Sequence, residues 1–222
     1  MNILISGADG NLGAAVADKF IAEKDQVFAL YADQAKADQD DRSLDKYVAD
    51  LMKAEEAKSA VDVMLKKQKL INGAVLTVGG FAVGSIEDTS IEDIEQQFKL
   101  NFNTAFNLVK PLMANMKEGG HIFLVGAKPA TDADGLKDML AYGLAKKLVF
   151  TLAEVINADR ENTGIQCQVI VPSIIDTPPN RESMPDANFD DWVTPQQIAE
   201  TIYYHFKHPY IKEAIIKVYG EA

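Results

Sequence analysis

Short apolar runs typical of β-strands alternate along the chain with longer amphipathic runs typical of α-helices. Strands that are joined through helices pair in parallel, and right-handed crossovers place the helices on both faces of the sheet. The alternation therefore predicts an α/β fold, with one domain over residues 1–222 and a Rossmann-like, doubly wound parallel sheet of about seven strands. The predicted strands are Asn2–Ser6, Gln26–Tyr31, Lys46–Asp50, Ala74–Val78, His121–Val125, Ile165–Val171 and Ala214–Tyr219.

The predicted helices lie between these strands and carry recognisable boundary signals. Thr89 followed by Glu92 is typical of a capping box, and Thr194 followed by Pro195 is typical of a helix start. Residues 33–43 are polar and predict a loop or a short helix. The longer predicted helices are Leu12–Lys24, Lys53–Lys69, 91–116, Leu136–Ala158 and one that begins after Thr194.

The charge and the cysteine content exclude several classes of protein. The 222-residue chain has a net charge of −11, which argues against nucleic acid or an anionic membrane as the main partner. Cys167 is the only cysteine, and the three histidines lack ligand spacing, so no metal site is predicted. The chain begins directly with a strand and its apolar runs stay below about 18 residues, so we expect a cytoplasmic protein without a membrane span.

A glycine-rich turn follows the first predicted strand and opens the first predicted helix. Gly7, Gly10 and Gly13 stand in the run Ser6-Gly7-Ala8-Asp9-Gly10-Asn11-Leu12-Gly13. Glycines allow a sharp turn and a close approach of the backbone to a pyrophosphate, which the helix N-terminus then faces. The alternative is an ordinary βα turn, and the strand–turn–helix context favours dinucleotide binding.

Tyr142 and Lys146 stand one helical turn apart in the run Ala141-Tyr142-Gly143-Leu144-Ala145-Lys146. A phenol has an ordinary pKa of about 10, and a nearby ammonium stabilises the phenolate and lowers that pKa. Such a phenol can donate a proton to a substrate as hydride arrives at the neighbouring atom. The alternative is a surface pair on an amphipathic helix. Together with the glycine-rich turn, the pair predicts a nicotinamide-dependent reductase of a small molecule.

The end of the second predicted strand bears on the choice of coenzyme. It consists of Leu30-Tyr31-Ala32-Asp33, with no Arg or Lys beside it. A carboxylate there can accept a hydrogen bond from the ribose 2′-hydroxyl and repels a 2′-phosphate. Asp9 in the turn is equally unfavourable for a phosphate. These residues favour NAD(H) over NADP(H), and the alternative for Asp33 is a solvated loop residue.

Several of these residues together resemble the short-chain dehydrogenase/reductase family over nearly the whole chain. The resemblance implies an NAD(P)-dependent oxidoreductase, and it implies that the helices 91–116 and 136–158 pair into a homodimer or homotetramer. The residues that carry the resemblance are the Gly7–Gly13 turn, Asp50, Val78-Gly79-Gly80, Asn101, Tyr142 with Lys146, and Pro172 through Thr177.

The resemblance also implies roles for the matching residues. Tyr142 would donate the proton, Lys146 would hold the nicotinamide ribose, and Asn101 would keep a water in a proton relay. Asp50 and Leu51 would flank the adenine, and Thr177 would approach the carboxamide. The coenzyme-binding residues are then Gly7, Asp9, Gly10, Asn11, Leu12, Gly13, Tyr31, Asp33, Asp50, Leu51, Val78, Gly79, Gly80, Tyr142, Lys146, Pro172, Ile174 and Thr177.

The chain departs from the common family pattern in ways that bear on the substrate. Asn11 replaces a glycine, Gly126-Ala127 replaces the substrate-orienting serine, and position 173 is Ser. The first two departures are shared with the dihydropteridine reductase branch, which the run Asp176–Ala187 also resembles. We therefore expect reduction of a quinonoid pterin or similar heterocycle. The alternatives are a reductase of ketones, quinones or enones, and a dinucleotide-binding sensor without turnover.

Overall fold

The described part of the chain forms one parallel sheet that is covered by helices on both faces. The structure is a computed structural model that describes residues 1–116 and 119–221; positions 117, 118 and 222 of the predicted domain lie outside them. The strands are β1 (Asn2–Ser6), β2 (Gln26–Tyr31), β3 (Asp45–Val48), β4 (Gly73–Leu76), β5 (His121–Val125), β6 (Gln166–Pro172) and β7 (Ile215–Val218). Their spatial order is β3-β2-β1-β4-β5-β6-β7, with every pair parallel, so the predicted fold class is confirmed.

Alternate side chains of the strands pack into two separate hydrophobic cores, one on each face of the sheet. Ile3 and Ile5 of β1 pack with Phe20 on one face, whereas Leu4 packs with Leu108 on the other. This two-residue alternation is the geometry of a strand that is buried on both sides. The helices are α1 (Asn11–Ala22), α2 (Gln34–Gln39), α3 (Ala54–Gln68), α4 (Ile91–Phe98), α5 (Thr104–Asn115), α6 (Ala133–Leu136), α7 (Leu140–Ala158), α8 (Arg160–Thr163), α9 (Pro178–Ser183) and α10 (Pro195–Lys207).

The predicted helix 136–158 begins later in the structure, at Leu140. Its first N–H donates to the carbonyl of Gly84 at 2.9 Å, while the N–H of Gly84 donates to Asp138 at 2.8 Å. These two bonds tie the segment before α7 to the loop after β4. A non-helical backbone at Met139 separates α7 from the short helix α6. A long-range backbone pairing therefore decides where α7 starts, and a helical sequence pattern carries no information about it.

The predicted helix 91–116 is interrupted and is capped one residue later than expected. Ser90 and Asp93 form the capping box, because Ser90 has the extended backbone of an N-cap. A π-helical turn, Lys99–Asn103, joins α4 to α5. The predicted boundaries of β3, β4, β6 and β7 also differ from the observed ones by one or two residues at an end.

From the two neighbouring strands at the centre of the sheet, β1 and β4, the chain proceeds toward opposite edges of the sheet. From β1 the chain continues to β2 and β3, and from β4 it continues to β5, β6 and β7. The loops after β1 and β4 therefore separate and leave a crevice at their carboxyl ends, where ligands of such sheets bind. No helix within residues 1–116 and 119–221 combines the length and the apolarity that a membrane span requires.

Candidate active site

A cavity of about 650 Å³ occupies this crevice at the carboxyl ends of the central strands. It is lined by segments that follow five different strands, β1, β2, β3, β4 and β6, so residues far apart in the sequence meet there. Predicted coenzyme-binding residues that line it are Gly7, Asp9, Gly10, Asn11, Leu12, Gly13, Tyr31, Asp50, Leu51, Val78, Gly79 and Thr177. Lining residues that were not predicted from the sequence are Leu30, Ala32, Ala49, Met52, Thr77, Leu100, Thr104 and Ile175.

The glycine-rich turn packs tightly against the start of α1. Gly7 has a φ of +66°, which L side chains rarely adopt, and its carbonyl accepts from the N–H of Gly10 at 2.9 Å. A Cβ on Gly13 would lie 2.0 Å from the Gly7 oxygen. No side chain caps the N-terminus of α1 at Gly10, so its first N–H groups remain available at the cavity. This cradle fits the pyrophosphate of a dinucleotide.

We expect Gly13→Ala to disrupt the turn. The added methyl would force the Gly7 backbone away from α1, and overpacking of this kind costs about 1–3 kcal/mol of stability. The melting temperature and the affinity for NADH should both fall. Gly10→Ala is the control, because its Cβ would lie 3.3 Å from the same oxygen, and its melting temperature should fall less. Equal melting temperatures for Gly13→Ala and wild type would contradict the close packing described here.

Tyr142 and Lys146 lie on α7, next to the cavity wall rather than in it. The Lys146 Nζ lies 5.9 Å from the centre of the Tyr142 ring and donates to the carbonyl of Val125 at 2.9 Å. A Cβ on the lining residue Gly79 would meet this Nζ at 3.2 Å. The absence of a side chain at Gly79 therefore lets the ammonium reach the edge of the cavity. The exposed ring of Phe81 contacts the edge of Tyr142, with centroids 5.3 Å apart.

Asn101 lies in the π-helical turn and is buried. Its Oδ1 accepts from the N–H of Gly80 at 3.1 Å, and its Nδ2 donates to the Gly80 carbonyl at 3.0 Å and to Gln97 at 2.8 Å. The side chain thus holds the backbone after β4 in place beside Lys146. The water relay that the resemblance implies for Asn101 stays a prediction.

The direction of the Tyr142 pKa shift differs from the sequence argument. Burial raises the pKa of Tyr142 to about 12, whereas we expected the Lys146 ammonium to lower this pKa. Burial also lowers the pKa of the Lys146 ammonium to about 8. The reason is that desolvation disfavours both charged forms, and the ammonium is directed to Val125 instead of the phenol. In the protein alone, Tyr142 therefore keeps its proton at neutral pH.

Asp33, just beyond the end of β2, does not lie where the sequence predicted it. The Asp33 carboxylate caps α2, accepting from the N–H groups of Ala35 at 2.7 Å and Lys36 at 3.3 Å, and it is not among the residues that line the cavity. Tyr31 lines the cavity instead. Lys36 also returns to the turn, where its Nζ pairs with Asp9 at 2.7 Å. The expectation that no cation lies near this end is therefore wrong, because α2 folds back over the turn.

Other predicted residues lie outside the cavity lining. Gly80 lies against Leu100, and a Cβ there would be 2.4 Å from a Leu100 methyl. Pro172 ends β6, and the carbonyl of Ile174 accepts from the N–H of Val193 at 3.0 Å, which turns Ile175 into the cavity wall. Among the missed residues, Thr77 directly precedes Val78 at the end of β4. Its position after an apolar strand is the signal that could have identified it.

Comparisons with known proteins identify the family of the chain. Residues 1–188 match the family model described as short chain dehydrogenase. Dihydropteridine reductase of Dictyostelium discoideum is 27% identical over 208 residues, which covers 91% of this chain and 86% of that protein. The 2,3-dihydro-2,3-dihydroxybenzoate dehydrogenase of Escherichia coli is 28% identical over 179 residues, covering 79% of this chain and 70% of that protein.

The fold is also shared with solved structures. A short-chain dehydrogenase/reductase from Serratia marcescens superposes with a TM-score of 0.86 at 20% identity, covering 100% of this chain and 98% of that one. Ligand-free aldohexose dehydrogenase from Thermoplasma acidophilum gives a TM-score of 0.85 at 19% identity, covering 98% and 91%. With a glycine-lined crevice, a Tyr–Lys pair beside it and a family model that spans most of its length, the chain belongs to the short-chain dehydrogenase/reductase family of NAD(P)-dependent oxidoreductases.

Proposed function

We propose that the protein is an NADH-dependent reductase of a quinonoid pterin or a similar planar heterocycle, with Tyr142 as the proton donor. The observation that carries this proposal is the geometry of the Tyr142 phenol beside Lys146, whose ammonium lies next to Gly79 in the wall of a dinucleotide-sized cavity. The similarity to a dihydropteridine reductase supports the substrate class.

Different residues of the chain would bind the two ends of the coenzyme. A bound nicotinamide would supply hydride to the substrate. The turn at Gly7–Gly13 would hold the pyrophosphate through backbone N–H groups, and Thr177 would approach the carboxamide. Lys146 would bind the ribose at Gly79 and offset the charge that develops on Tyr142 as its proton leaves. Lys146 is buried and Tyr142 is half-buried, so the ammonium is shielded from bulk water during this proton transfer.

The surroundings of Tyr142 favour a planar substrate over a simple ketone. Ketone reduction requires a hydroxyl donor that polarises the C–O bond, and Ala127 offers none. Gly126 cannot carry a larger side chain, because its Cβ would lie 2.8 Å from Val169 and 2.9 Å from Phe150. A planar heterocycle spreads the developing charge over its ring and can pack against the exposed ring of Phe81.

The adenosine end of the cavity favours NAD(H) over NADP(H). Asp9 and Asp50 both line it, and their carboxylates repel a 2′-phosphate. A nearby cation, Lys36, could attract one, but its Nζ is paired with Asp9. At the position where Asp33 was expected to line the cavity, the buried Tyr31 lines it instead. We propose NADH as the preferred coenzyme for these reasons.

The function is tested by NADH oxidation with a substrate panel. We expect turnover with quinonoid dihydropterin, slower turnover with ketones and enones, and a lower kcat/KM with NADPH than with NADH. Faster turnover of ketones, quinones or enones would replace the pterin with that substrate class. Binding of NADH in calorimetry without turnover of any panel member would favour a sensor and overturn the enzymatic proposal.

The pH profile gives a second measurement on the same site. We expect kcat/KM for reduction to fall as the pH rises through about 8, because the Lys146 ammonium loses its proton there. The Tyr142 phenol, with a pKa raised to about 12, keeps its proton over this range and does not contribute to the fall. Steady-state rates between about pH 6 and 10 measure the profile. A profile that stays flat above pH 8 would contradict the role of Lys146.

Family members commonly form oligomers, and α4, α5 and α7 are the helices that we propose for this contact. Phe102 and Phe106 stack with ring centroids 5.8 Å apart, and Phe106 and Val155 are exposed. Exposed apolar side chains on neighbouring helices are typical of a protein interface. We propose a homodimer or homotetramer, which sedimentation of the full chain would distinguish from a monomer.

A further inference from the structure

A half-buried arginine contacts the glycine-rich turn and is not among the residues that line the cavity. Arg42 belongs to the loop between α2 and β3. Its Nη2 donates to the carbonyl of Ala8 at 2.8 Å, and its Nη1 donates to the carbonyl of Ala14 at 3.0 Å and to Asp18 at 3.0 Å. Ala8 is in the turn and Ala14 is at the start of α1. The guanidinium therefore connects the turn with the start of α1.

Hydrogen bonds that begin at the cavity wall hold Arg42 in place. Its Nε donates to both carboxylate oxygens of Asp40, at 2.9 and 3.0 Å, and the hydroxyl of Tyr31 donates to the same carboxylate. The guanidinium keeps the pKa of Asp40 well below its usual range, so the pair stays charged. Since Tyr31 is fully buried and lines the cavity, a continuous set of hydrogen bonds connects the wall of the adenosine end with the turn.

The bond to Ala8 has a consequence for the neighbouring peptide N–H. The carbonyl of Ala8 and the N–H of Asp9 belong to one planar trans peptide unit, so they point in opposite directions. A carbonyl held outward by Arg42 therefore directs the Asp9 N–H toward the cavity that Asp9 lines. Backbone N–H groups with this orientation are what a pyrophosphate needs.

We propose that Arg42 is a positioning residue for the coenzyme. Through Ala8 and Ala14 it keeps the glycine-rich turn in the shape that receives the pyrophosphate, and Tyr31 and Asp40 keep Arg42 in place. This inference rests on the coenzyme site proposed above. It assigns Arg42 to binding alone, because its contacts lie at the turn and not at Tyr142 or Lys146.

The test uses the double variant Arg42→Met/Asp40→Asn, which leaves no unpaired charge beside Tyr31. We expect the Kd of NADH and the Kd of ADP-ribose, which lacks the nicotinamide, to rise by the same factor of about tenfold or more. The kcat at saturating NADH should change less than about twofold, and the KM of the second substrate should not change. Arg42→Lys should give an intermediate Kd. An ammonium can reach one turn carbonyl, but it lacks the two separate nitrogens with which the guanidinium donates to Ala8 and Ala14.

Lys19→Met is the matched control, since Lys19 lies on α1 and, like Arg42, is paired with carboxylates, those of Glu23 and Glu200, but does not contact the turn. Its Kd for both ligands should equal that of wild type. An unchanged Kd in the double variant, or a loss of kcat and melting temperature without a change in Kd, would overturn the proposal for Arg42 alone. Failure of wild type to bind NADH or ADP-ribose would overturn the coenzyme site as well.

Discussion

Tyr142→Phe should reduce kcat/KM by about 10²-fold or more with the preferred substrate, while NADH binding changes little. The substitution removes only the hydroxyl, which is the proton donor in the proposed reaction. The ring remains, so its edge contact with Phe81 at 5.3 Å should persist and the fold should be kept. Steady-state rates with quinonoid dihydropterin and calorimetric titration with NADH measure the two effects separately.

Tyr47→Phe is the matched control for this prediction. It also removes a phenol hydroxyl, which lies 3.1 Å from the Ser59 hydroxyl on the surface of β3 and outside the coenzyme cavity. Its rates should equal those of wild type. Equal rates for wild type and Tyr142→Phe would remove Tyr142 from the mechanism, and the substrate would then take its proton from another group or from water.

Lys146→Met should have opposite effects on activity and stability. We expect kcat/KM to fall by about 10²-fold or more, because the ammonium that holds the ribose and supports Tyr142 is lost. The free energy of unfolding should rise by on the order of 1–3 kcal/mol at neutral pH. The reason is that Lys146 is almost fully buried, and burial lowers its pKa from 10.5 to about 8. Urea unfolding of both proteins measures the difference.

The pH dependence of this stability difference has a definite sign. Between about pH 8 and 10.5 the unfolded wild-type chain binds more protons at Lys146 than the folded chain does. Wild-type stability attributable to Lys146 therefore rises with pH in this window, and its difference from Lys146→Met becomes smaller. Lys147→Met is the control, because Lys147 is exposed on the same helix. A Lys146→Met protein that is less stable than wild type at every pH would contradict the cost of burial.

Much of the fold follows from local patterns. The alternation of strands and helices predicted the parallel sheet, and the bounds of β1, β2 and β5 are as predicted. The boundaries of other elements depend on distant partners, as at Leu140, whose N–H pairs with Gly84. The assignment of the individual site residues to coenzyme and catalysis stays a prediction, although the cavity brings most of the expected coenzyme residues together.

Local spacing located the glycine-rich turn and placed Tyr142 and Lys146 on one helix face, because a turn and one helical step involve neighbours in the chain. The contacts of Arg42 could not be foreseen in this way, since its bonds to the turn join residues 28 and 34 positions apart. The pKa shift of Tyr142 likewise depends on how deeply the fold buries the phenol. Spacing places charges beside each other, whereas the packed chain decides which of them are dehydrated and which partner each one meets.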